Sequence, residues 1–485
     1  KRGDVELLGQ YAAQGGAVRI IWPGDTRQFP STNTGNMNGG GGGDEDIFTI
    51  EKPIKLSVFK NRIFYVEAPS DPPAEDSLYP FTSFRFCSSV VGENGPTKTQ
   101  MRDKYQSTYP DQDWYMNDLY LNNIAGEETE GIQIWTVPKD GNYRITAKGG
   151  AGGDGEGRSG GETWSGGPGD GAQITVDVFG MKKNDKINIV IGQTGYDYPP
   201  GYQWGAGSGG GTYVFTGEKG GNGIIVIAGG GGGYGHGHND LGGFGMGGSI
   251  NAFSNEIAAG ENRTTTWRAS GSGTDRTNGS MGHSSKTNRL TTHLGGNVAI
   301  PNQENTYQYL GYGGHAIGSG ASYGGGGGGG GWLGAGATAS GSNFGRGGGI
   351  FGFKGGVGRS GAQNANGGFG SGGGSGGNGL GAGGGGGFTG GSAGDTWTGS
   401  RNGWGAGAGG GSAYRGAFPS NIVNQYIESK YTYIVVETIE GAVGINRTFP
   451  TYRDNGFVNI EYLSNLPPPL AGIGNDIPEI VVQER

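Results

Sequence analysis

Two histidines and an aspartate form the arrangement in this sequence that best suits metal binding. His236, His238 and Asp240 follow the glycine run 229–233. On an extended segment, residues i and i+2 project from the same side, so the two imidazoles could ligate one metal ion. Such a metal would be structural rather than catalytic. The alternative is that the three residues are polar members of a glycine-rich loop, and no cofactor is predicted.

Motifs for covalent or phosphate chemistry are weak in this chain. The run 390–394, Gly-Gly-Ser-Ala-Gly, fits the nucleophile elbow of serine hydrolases, in which a strand precedes the serine. No strand pattern precedes this run, and the last histidine, His315, lies before it. The chain also contains no Gly-Lys dipeptide, which a phosphate-binding P-loop requires. The sequence therefore predicts a protein that is not an enzyme.

Aromatic residues in the glycine-rich region are the candidate binding residues. The first group is a cluster interrupted by two prolines: Tyr196, Tyr198, Tyr202 and Trp204. Tyrosine and tryptophan rings stack on sugars and fill pockets in partner proteins. The alternative interpretation is that these rings cover a β-sandwich beneath them.

A second aromatic group lies late in the glycine-rich region and consists of Trp397, Arg401 and Trp404. These side chains could present a flat aromatic patch at one end of a bundle. They could instead plug a packed glycine lattice. The sequence leaves both interpretations open.

These candidate residues lie among glycine-rich segments, which must position them. Glycine accounts for 116 of the 485 residues, whereas it makes up about 7% of ordinary proteins. The glycines are clumped and only 20 residues are proline, which excludes collagen. A disordered linker would not carry the 11% of aromatic residues found here. We therefore predict glycine segments packed side by side as polyproline-II-like helices, with three residues per turn and lateral backbone hydrogen bonds.

Charge, hydropathy and cysteine content exclude several classes of protein. The net charge of −8 argues against a nucleic-acid partner. No run approaches 18 apolar residues, so membrane insertion is not predicted. Cys87 is the single cysteine, so no intrachain disulfide is expected. Because the first residue is lysine, we expect a processed product or a fragment of a longer protein.

Period-two hydrophobic patterns predict a β-domain that begins near residue 131. Ile132, Ile134, Tyr143 and Ile145 flank a turn at 138–141 and predict a hairpin. Further strands are predicted over 172–178, 186–191, 212–215, 224–228, 431–437 and 457–462. Upstream, a strand over 81–86 and a short helix over 97–105 are predicted. The glycine-rich region thus lies between strands that open a sheet domain and strands that close it.

The predicted domain organisation follows these changes in composition. Residues 1–35 hold the closing strand of an upstream module, 36–78 form a linker with short strands, and 79–130 form a small lead-in segment. Residues 131–465 hold the β-sandwich and the glycine-helix bundle, and 466–485 form a C-terminal tail.

Short motifs follow one another in order through the β-domain. They are GIQIWTVPKDGNYRITAKGGAGG (131–153), GAQITVDV (171–178), KINIVIGQTG (186–195), GSGGGTYVF (207–215), GIIVIAGGGGG (223–233) and GGGSAY (409–414). In this order they resemble the glycine-rich domain of the anaplastic lymphoma kinase and leukocyte tyrosine kinase ectodomains and of many phage and giant-virus surface proteins. The resemblance implies a mainly β fold, a jelly-roll-like β-sandwich with an inserted bundle of packed polyglycine-II-type helices.

The regions before this domain resemble segments of structural proteins of tailed marine phages, in the runs GGAVRIIWPGDTRQFPSTNT (15–34) and FTSFRFCSSVVGENGPT (81–97). The resemblance implies a non-enzymatic protein of the virion surface, a fibre or adhesin component whose loops attach to the host. The implied partners are other virion structural proteins, a host-surface glycan or protein, and further copies of the chain in a homo-oligomer. The alternatives are an extracellular glycine-rich module of a cellular protein and a capsid head fibre or decoration protein.

Overall fold

Two antiparallel β-sheets of five strands each form the frame of the protein. The computed structural model describes residues 77–123, 130–159, 162–197, 205–235, 245–252, 311–314, 325–338, 345–349, 352–358, 365–376, 381–394, 407–417, 421–442 and 454–464. All of these residues belong to one compact unit, Ser70–Pro468. The structure confirms a mainly β fold with very little helix.

The first sheet contains the strands that begin and end the domain. With strands numbered in chain order, its spatial order is β1 (Ser83–Cys87), β12 (Phe457–Ser464), β4 (Gly141–Lys148), β7 (Gln173–Met181) and β11 (Thr432–Ile439). The pairing of β12 with β4 joins residues more than 300 positions apart, with Ile460 opposite Ile145. This pairing closes the sheet around the glycine-rich region, as predicted from the late strand pattern.

The second sheet is built from shorter strands. Its spatial order is β10 (Ile224–Ala228), β9 (Thr212–Phe215), β8 (Lys186–Val190), β3 (Gln133–Thr136) and β2 (Leu121–Asn123). A separate two-stranded sheet pairs β5 (Gly155–Ser159) with β6 (Glu162–Gly166). The predicted bounds of β9 and β10 are confirmed, and those of β8 differ by one residue at the end of the strand.

Helical structure in the described part of the chain is confined to short pieces. Helix α1 (Lys98–Thr108) begins at a capping box, in which the Thr97 hydroxyl accepts the Gln100 N–H and the Gln100 side chain accepts the Thr97 N–H. A 3₁₀ turn (Trp114–Met116) and helix α2 (Asn421–Asn424) complete the helical elements of the described residues. No helix among those residues is long and apolar enough to cross a membrane.

The hydrophobic core draws on both sheets. Ile145 and Val176 from the first sheet and Trp135, Ile187 and Val226 from the second sheet belong to one cluster of buried side chains. Strands β9 and β10 are buried on both faces. Aromatic side chains of the glycine-rich region pack on β9.

Two aromatic residues of β9 connect the second sheet to the glycine-rich region. The ring centroid of Phe215 lies 5.2 Å from that of Trp332 and 5.7 Å from that of Phe353. Tyr213 contacts the same two rings. Trp332 and Phe353 are both buried, and they pack the glycine-rich region against the second sheet.

The predicted hairpin across residues 132–145 is wrong. Both strands exist, but β3 pairs with β2 and β8, whereas β4 pairs with β12 and β7. The connection therefore crosses from one sheet to the other. At Val137 it is held by backbone hydrogen bonds to Asn184 and Asp185 in the β7–β8 turn rather than by a partner strand. A period-two pattern identifies a strand, but it does not identify the neighbour of that strand.

The lead-in segment contributes to both sheets, since β1 pairs with β12 and β2 pairs with β3. Its helix protects the outer edge of β1. The Arg85 and Cys87 N–H groups on that edge donate to the hydroxyls of Tyr109 and Tyr105 at 3.2 and 3.1 Å. The residues of 79–130 that the structure describes are thus integrated into the sheet domain, while the predicted domain division as a whole stays a prediction.

A buried ion pair lies on the first sheet. Arg144 Nε and Nη2 donate to the two carboxylate oxygens of Asp177 on the neighbouring strand, at 2.8 and 3.1 Å. Asp177 is fully buried and Arg144 is partly exposed. The pairing is bidentate, which is the strong geometry for arginine and carboxylate.

Candidate functional site

The glycine-rich region is an array of backbone segments packed against one another. We call the glycine array the segments 149–153, 169–171, 192–196, 205–211, 229–234, 245–248, 326–331, 345–348, 355–358, 366–375, 381–394 and 407–411. A Cβ atom on Gly231 would collide with the Gly169 carbonyl oxygen, and one on Gly210 would collide with that of Phe369. Such contacts are repeated throughout the array. Glycine is therefore required here because neighbouring backbones lie where a side chain would be.

Segment 205–211 has a regular three-residue hydrogen-bond pattern. The N–H groups of residues 206 to 211 donate, in order, to the carbonyl oxygens of Tyr234, Tyr196, Gly373, Gly231, Gln193 and Gly370, over 2.7–3.1 Å. Every third donor thus meets the same neighbouring segment, and the acceptor moves back three residues each time. The segment has three antiparallel neighbours in three directions.

Segment 383–388 repeats this pattern with parallel neighbours. Its N–H groups donate, in order, to the carbonyl oxygens of Ala206, Gly327, Ala408, Gly209, Gly330 and Gly411, over 2.7–3.2 Å. Here the acceptor advances three residues each time. Segment 205–211 donates to antiparallel neighbours and segment 383–388 donates to parallel ones, yet both have a period of three residues, which differs from the period of two in a β-strand.

The carbonyl groups of segment 205–211 are also used. They accept hydrogen bonds from the N–H groups of Gly383, Gly153, Gly368, Gly386 and Gly150. The bonded partners of 205–211 come from five segments, 149–153, 192–196, 229–234, 366–375 and 381–394, which surround it. Buried backbone polar groups without partners would cost free energy, and this arrangement provides those partners without side chains.

Ser208 is the one hydroxyl-bearing residue in segment 205–211, and it is fully buried. Its Oγ accepts the Gly373 N–H at 2.7 Å and donates to the Gly384 carbonyl oxygen at 2.6 Å. The hydroxyl thus links two neighbouring segments. A small side chain is tolerated at this position because it forms hydrogen bonds of its own.

The sheets lead directly into the array. Strand β8 continues into segment 192–196, segment 205–211 continues into β9, and β10 continues into segment 229–234. The sheets lie at the Gly192, Gly211 and Gly229 ends of these segments. The other end of the array, which contains Tyr196, Ala206 and Tyr234, points away from the sheets, and we call it the loop end.

The described residues that flank several connections of the chain, which we call the loop roots, lie together at the loop end. The Ala206 N–H donates to the Tyr234 carbonyl oxygen at 2.7 Å, and the Gly383 N–H donates to the Ala206 carbonyl oxygen at 3.1 Å. The Gly394 N–H donates to the Ala382 carbonyl oxygen at 2.9 Å. The Gly407 N–H donates to the Gly233 carbonyl oxygen, and the Met246 N–H donates to the Gly407 carbonyl oxygen, both at 3.1 Å. The described residues that flank the stretches 198–204, 236–244, 377–380 and 395–406 are therefore neighbours in space although they are distant in sequence.

Tyr196 is the predicted binding residue that the structure describes, and it is exposed at the loop end, with 41% of its surface accessible. Its ring covers the Cα atom of Gly92, which has a φ of +90° and no room for a Cβ. Its N–H donates to the Asn366 carbonyl oxygen at 2.9 Å. Tyr196 is therefore held in place at its backbone and on one face of its ring.

The other predicted site residues lie outside the described residues. They are Tyr198, Tyr202, Trp204, Trp397, Arg401 and Trp404 in the candidate binding groups, and His236, His238 and Asp240 in the candidate metal group. Each group nevertheless lies on a stretch whose two ends are described. All three stretches are rooted at the loop end.

A tyrosine and an aspartate lie beneath the root of stretch 236–244. The Tyr234 hydroxyl is buried without a hydrogen-bond partner among the described residues. Burial raises the pKa of this hydroxyl, and the nearby Asp154 raises it further. The Asp154 N–H donates to Asp197 Oδ1 at 3.0 Å. No group of three or more possible metal ligands occurs in the part of the chain that the structure describes.

Lys219 is a residue whose position the sequence did not predict. Its ammonium group donates to the Gly352 carbonyl oxygen at 2.7 Å and lies 4.7 Å from the ring centre of Phe353. Burial lowers the pKa of this lysine to about 8. The residue fixes the β9–β10 turn to the turns at the sheet end of the array, opposite the loop end. Its only sequence signal was a lone lysine within a glycine-rich turn.

No protein-family model matches the chain. The resemblance to the receptor and virus glycine-rich domains therefore stays a prediction.

Proposed function

We propose that this chain is a non-enzymatic virion surface protein of a tailed phage, a fibre or adhesin component that attaches to the host surface through its loops. The proposal combines the sequence resemblance with the geometry of the loop end. The binding partner is a glycan or protein of the host surface, and other virion structural proteins hold the chain on the particle.

The observation that carries this proposal is the convergence of loop roots at one end of the glycine array. Stretches 198–204 and 395–406 contain the two candidate aromatic groups, and their ends meet through the bonded residues Ala206, Ala382 and Gly394. Several loops with a common base can form one composite binding surface. Tyr196, which is exposed beside the first of these stretches, adds an aromatic ring to that surface.

We propose further that the array is a bundle of polyglycine-II-type helices inserted into a jelly-roll-like β-sandwich. The three-residue hydrogen-bond period of segments 205–211 and 383–388 supports this assignment, because such helices have three residues per turn and no internal hydrogen bonds. The burial of side chains from both sheets in one core supports the sandwich.

This architecture suits an attachment protein. The array holds the ends of each loop by backbone contacts, and these contacts do not depend on the residues within the loop. Stretches such as 198–204 can therefore change in sequence or length while the base stays the same. Loops on a rigid base also lose less conformational entropy when they bind.

Immunogold labelling of intact particles and cells from the source material, with antibody to this chain, tests the proposal. Label at fibre or tail tips is the expected result. Label spread over the capsid shell would instead favour a head fibre or decoration protein. Label on cell surfaces alone would contradict the phage assignment and favour the extracellular module of a cellular protein.

A further inference from the structure

Strand β11 is an edge strand with an unpaired side. It lies at the end of the first sheet and pairs with β7 only, and no other described strand lies beside it. The outer edge of β1 is covered by two tyrosine hydroxyls. The outer edge of β10 forms bridges with Ala413 and Ile427. Of these three edges, that of β11 is available to another strand.

Three of the four exposed residues of β11 are apolar, and the fourth is Glu437. Val435, Val436 and Ile439 are 37%, 39% and 46% exposed. The strand has a bulge between Val435 and Glu437, which is one feature that protects edge strands. It contains neither lysine nor proline, and Glu437 is its one charged residue. Its β-branched composition favours pairing with another strand.

Unlike charges flank this strand and indicate which partner would fit. Lys430 precedes β11 and Glu440 follows it. An antiparallel copy of β11 centred on Val435 would place Lys430 opposite Glu440 at both ends, Thr432 opposite Thr438, and Ile434 opposite Val436. A parallel copy in register would instead place Glu437 and Glu440 beside the same residues of the other copy, and like charges directly opposite each other are unfavourable.

Both charged groups lie close to the ends of the strand. Lys430 Nζ lies 3.3 Å from Asp185 Oδ1 in a partly exposed ion pair, which contributes little and can rearrange. Glu440 Oε2 accepts the Ile250 N–H at 3.0 Å, which holds the carboxylate near the end of the strand.

We propose that two copies of this chain associate through their β11 edges, antiparallel and centred on Val435, to form a continuous ten-stranded sheet from two five-stranded ones. The pairing is two-fold symmetric, so each copy contributes the same surface. The inference goes beyond the proposed function, because it concerns contact between copies and does not depend on host attachment.

Sedimentation velocity of the full chain over a concentration series tests the association. The wild type is expected to form dimers reversibly. Substitution of the two exposed residues in Val436→Lys/Ile439→Lys should weaken association by about 100-fold or more, because it brings lysines to the shared edge. The matched control Met116→Lys/Leu119→Lys, at another pair of exposed apolar residues, should associate as the wild type does. A wild type that stays monomeric at its highest soluble concentration, or a β11 variant that dimerises as well as the control, would overturn the proposal.

Cysteine cross-linking tests the register. In a Cys87→Ser background, which has no other cysteine, Val435→Cys should form a disulfide-linked dimer on mild oxidation. Ile439→Cys should not, because the antiparallel register places residue 439 opposite Tyr431 and far from the other residue 439. Equal cross-linking of the two variants would indicate parallel pairing and contradict the proposed register.

Discussion

The backbone N–H of Gly207 donates to the carbonyl oxygen of Tyr196 at 3.1 Å, and this bond closes the base of stretch 198–204. The two residues belong to neighbouring segments of the glycine array. A stretch that carries a tyrosine pair and a tryptophan is thus flanked by residues of two hydrogen-bonded segments. The binding proposal requires that the two ends of this stretch are held in this way.

Replacement of the aromatic side chains in this stretch should reduce binding without loss of stability. We expect Tyr198→Ala/Tyr202→Ala/Trp204→Ala to weaken binding of the labelled chain to host cells by about 30-fold or more, since hot-spot aromatics contribute about 2 kcal/mol or more. Leu119→Ala, at an exposed residue on the lead-in segment, is the control. A lower melting temperature with unchanged binding would instead favour the interpretation that these rings cover the sandwich.

A single methyl group inside the array should be strongly destabilising. Gly210→Ala would place a Cβ atom against the Phe369 carbonyl oxygen, and backbone cannot move aside as a side chain can. We expect the free energy of unfolding to fall by about 3 kcal/mol or more in urea titrations. The control is Gly221→Ala, where the nearest atom, the Glu218 carbonyl oxygen, lies 3.2 Å from the added Cβ. Equal stability of the two variants would argue against close backbone packing.

Removal of one partner of the Arg144–Asp177 ion pair should destabilise the protein more than replacement of both partners. Arg144→Met leaves the fully buried Asp177 without its bidentate partner, and we expect a loss of about 3 kcal/mol. The double variant Arg144→Met/Asp177→Leu should recover most of that loss, because both charges are then removed. Chemical unfolding of the two variants and the wild type measures the difference. An additive loss in the double variant would be inconsistent with a coupled pair.

Lys219 should make the free energy of unfolding depend on pH in the alkaline range. Burial lowers the pKa of Lys219 from its ordinary value of 10.5 to about 8. Below pH 8 both the folded and unfolded states carry the charge, so the desolvation cost is fully present. Between pH 8 and 10.5 the folded state releases the proton that the unfolded state keeps, so the stability contribution of Lys219 rises with pH.

A difference measurement isolates this effect from the titration of the tyrosines. The unfolding free energy of the wild type minus that of Lys219→Met should rise by up to about 3 kcal/mol between pH 8 and 10.5. The same difference taken with Leu119→Met, at an exposed residue that has no ionisable group, should stay flat. A flat difference for Lys219 as well would show that its ammonium group is well solvated.

Local patterns predicted the elements of the sheets better than their partners. The runs Thr212–Phe215 and Ile224–Ala228 identified β9 and β10 because continuous apolar runs between turn residues are distinctive. The partner of β3 was predicted wrongly, because alternation does not encode which strand lies alongside. The place of β1 beside β12 could not be inferred either, since it depends on contact between residues far apart in sequence.

The sequence predicted which residue types build the candidate site, but it did not predict which segments lie next to one another. Glycine runs with interspersed aromatic residues predicted close packing, and the buried Trp332 and Phe353 agree with it. A run of identical glycines has no side-chain pattern, so the sequence did not indicate that Gly209 bonds to Gly231 or that the loop roots converge. Lys219 was missed for a related reason, since its acceptor is a backbone carbonyl that any residue would provide.

The interior of the array also determines how this protein responds to temperature. Exposure of apolar surface on unfolding raises the heat capacity, whereas exposure of polar backbone lowers it. The array buries peptide groups where an ordinary core buries hydrocarbon. Its heat capacity of unfolding per residue should therefore fall below the usual value of about 12–15 cal/mol/K. The stability curve is then flatter, and the base of the loops keeps its shape over a wider range of temperatures, both cold and warm.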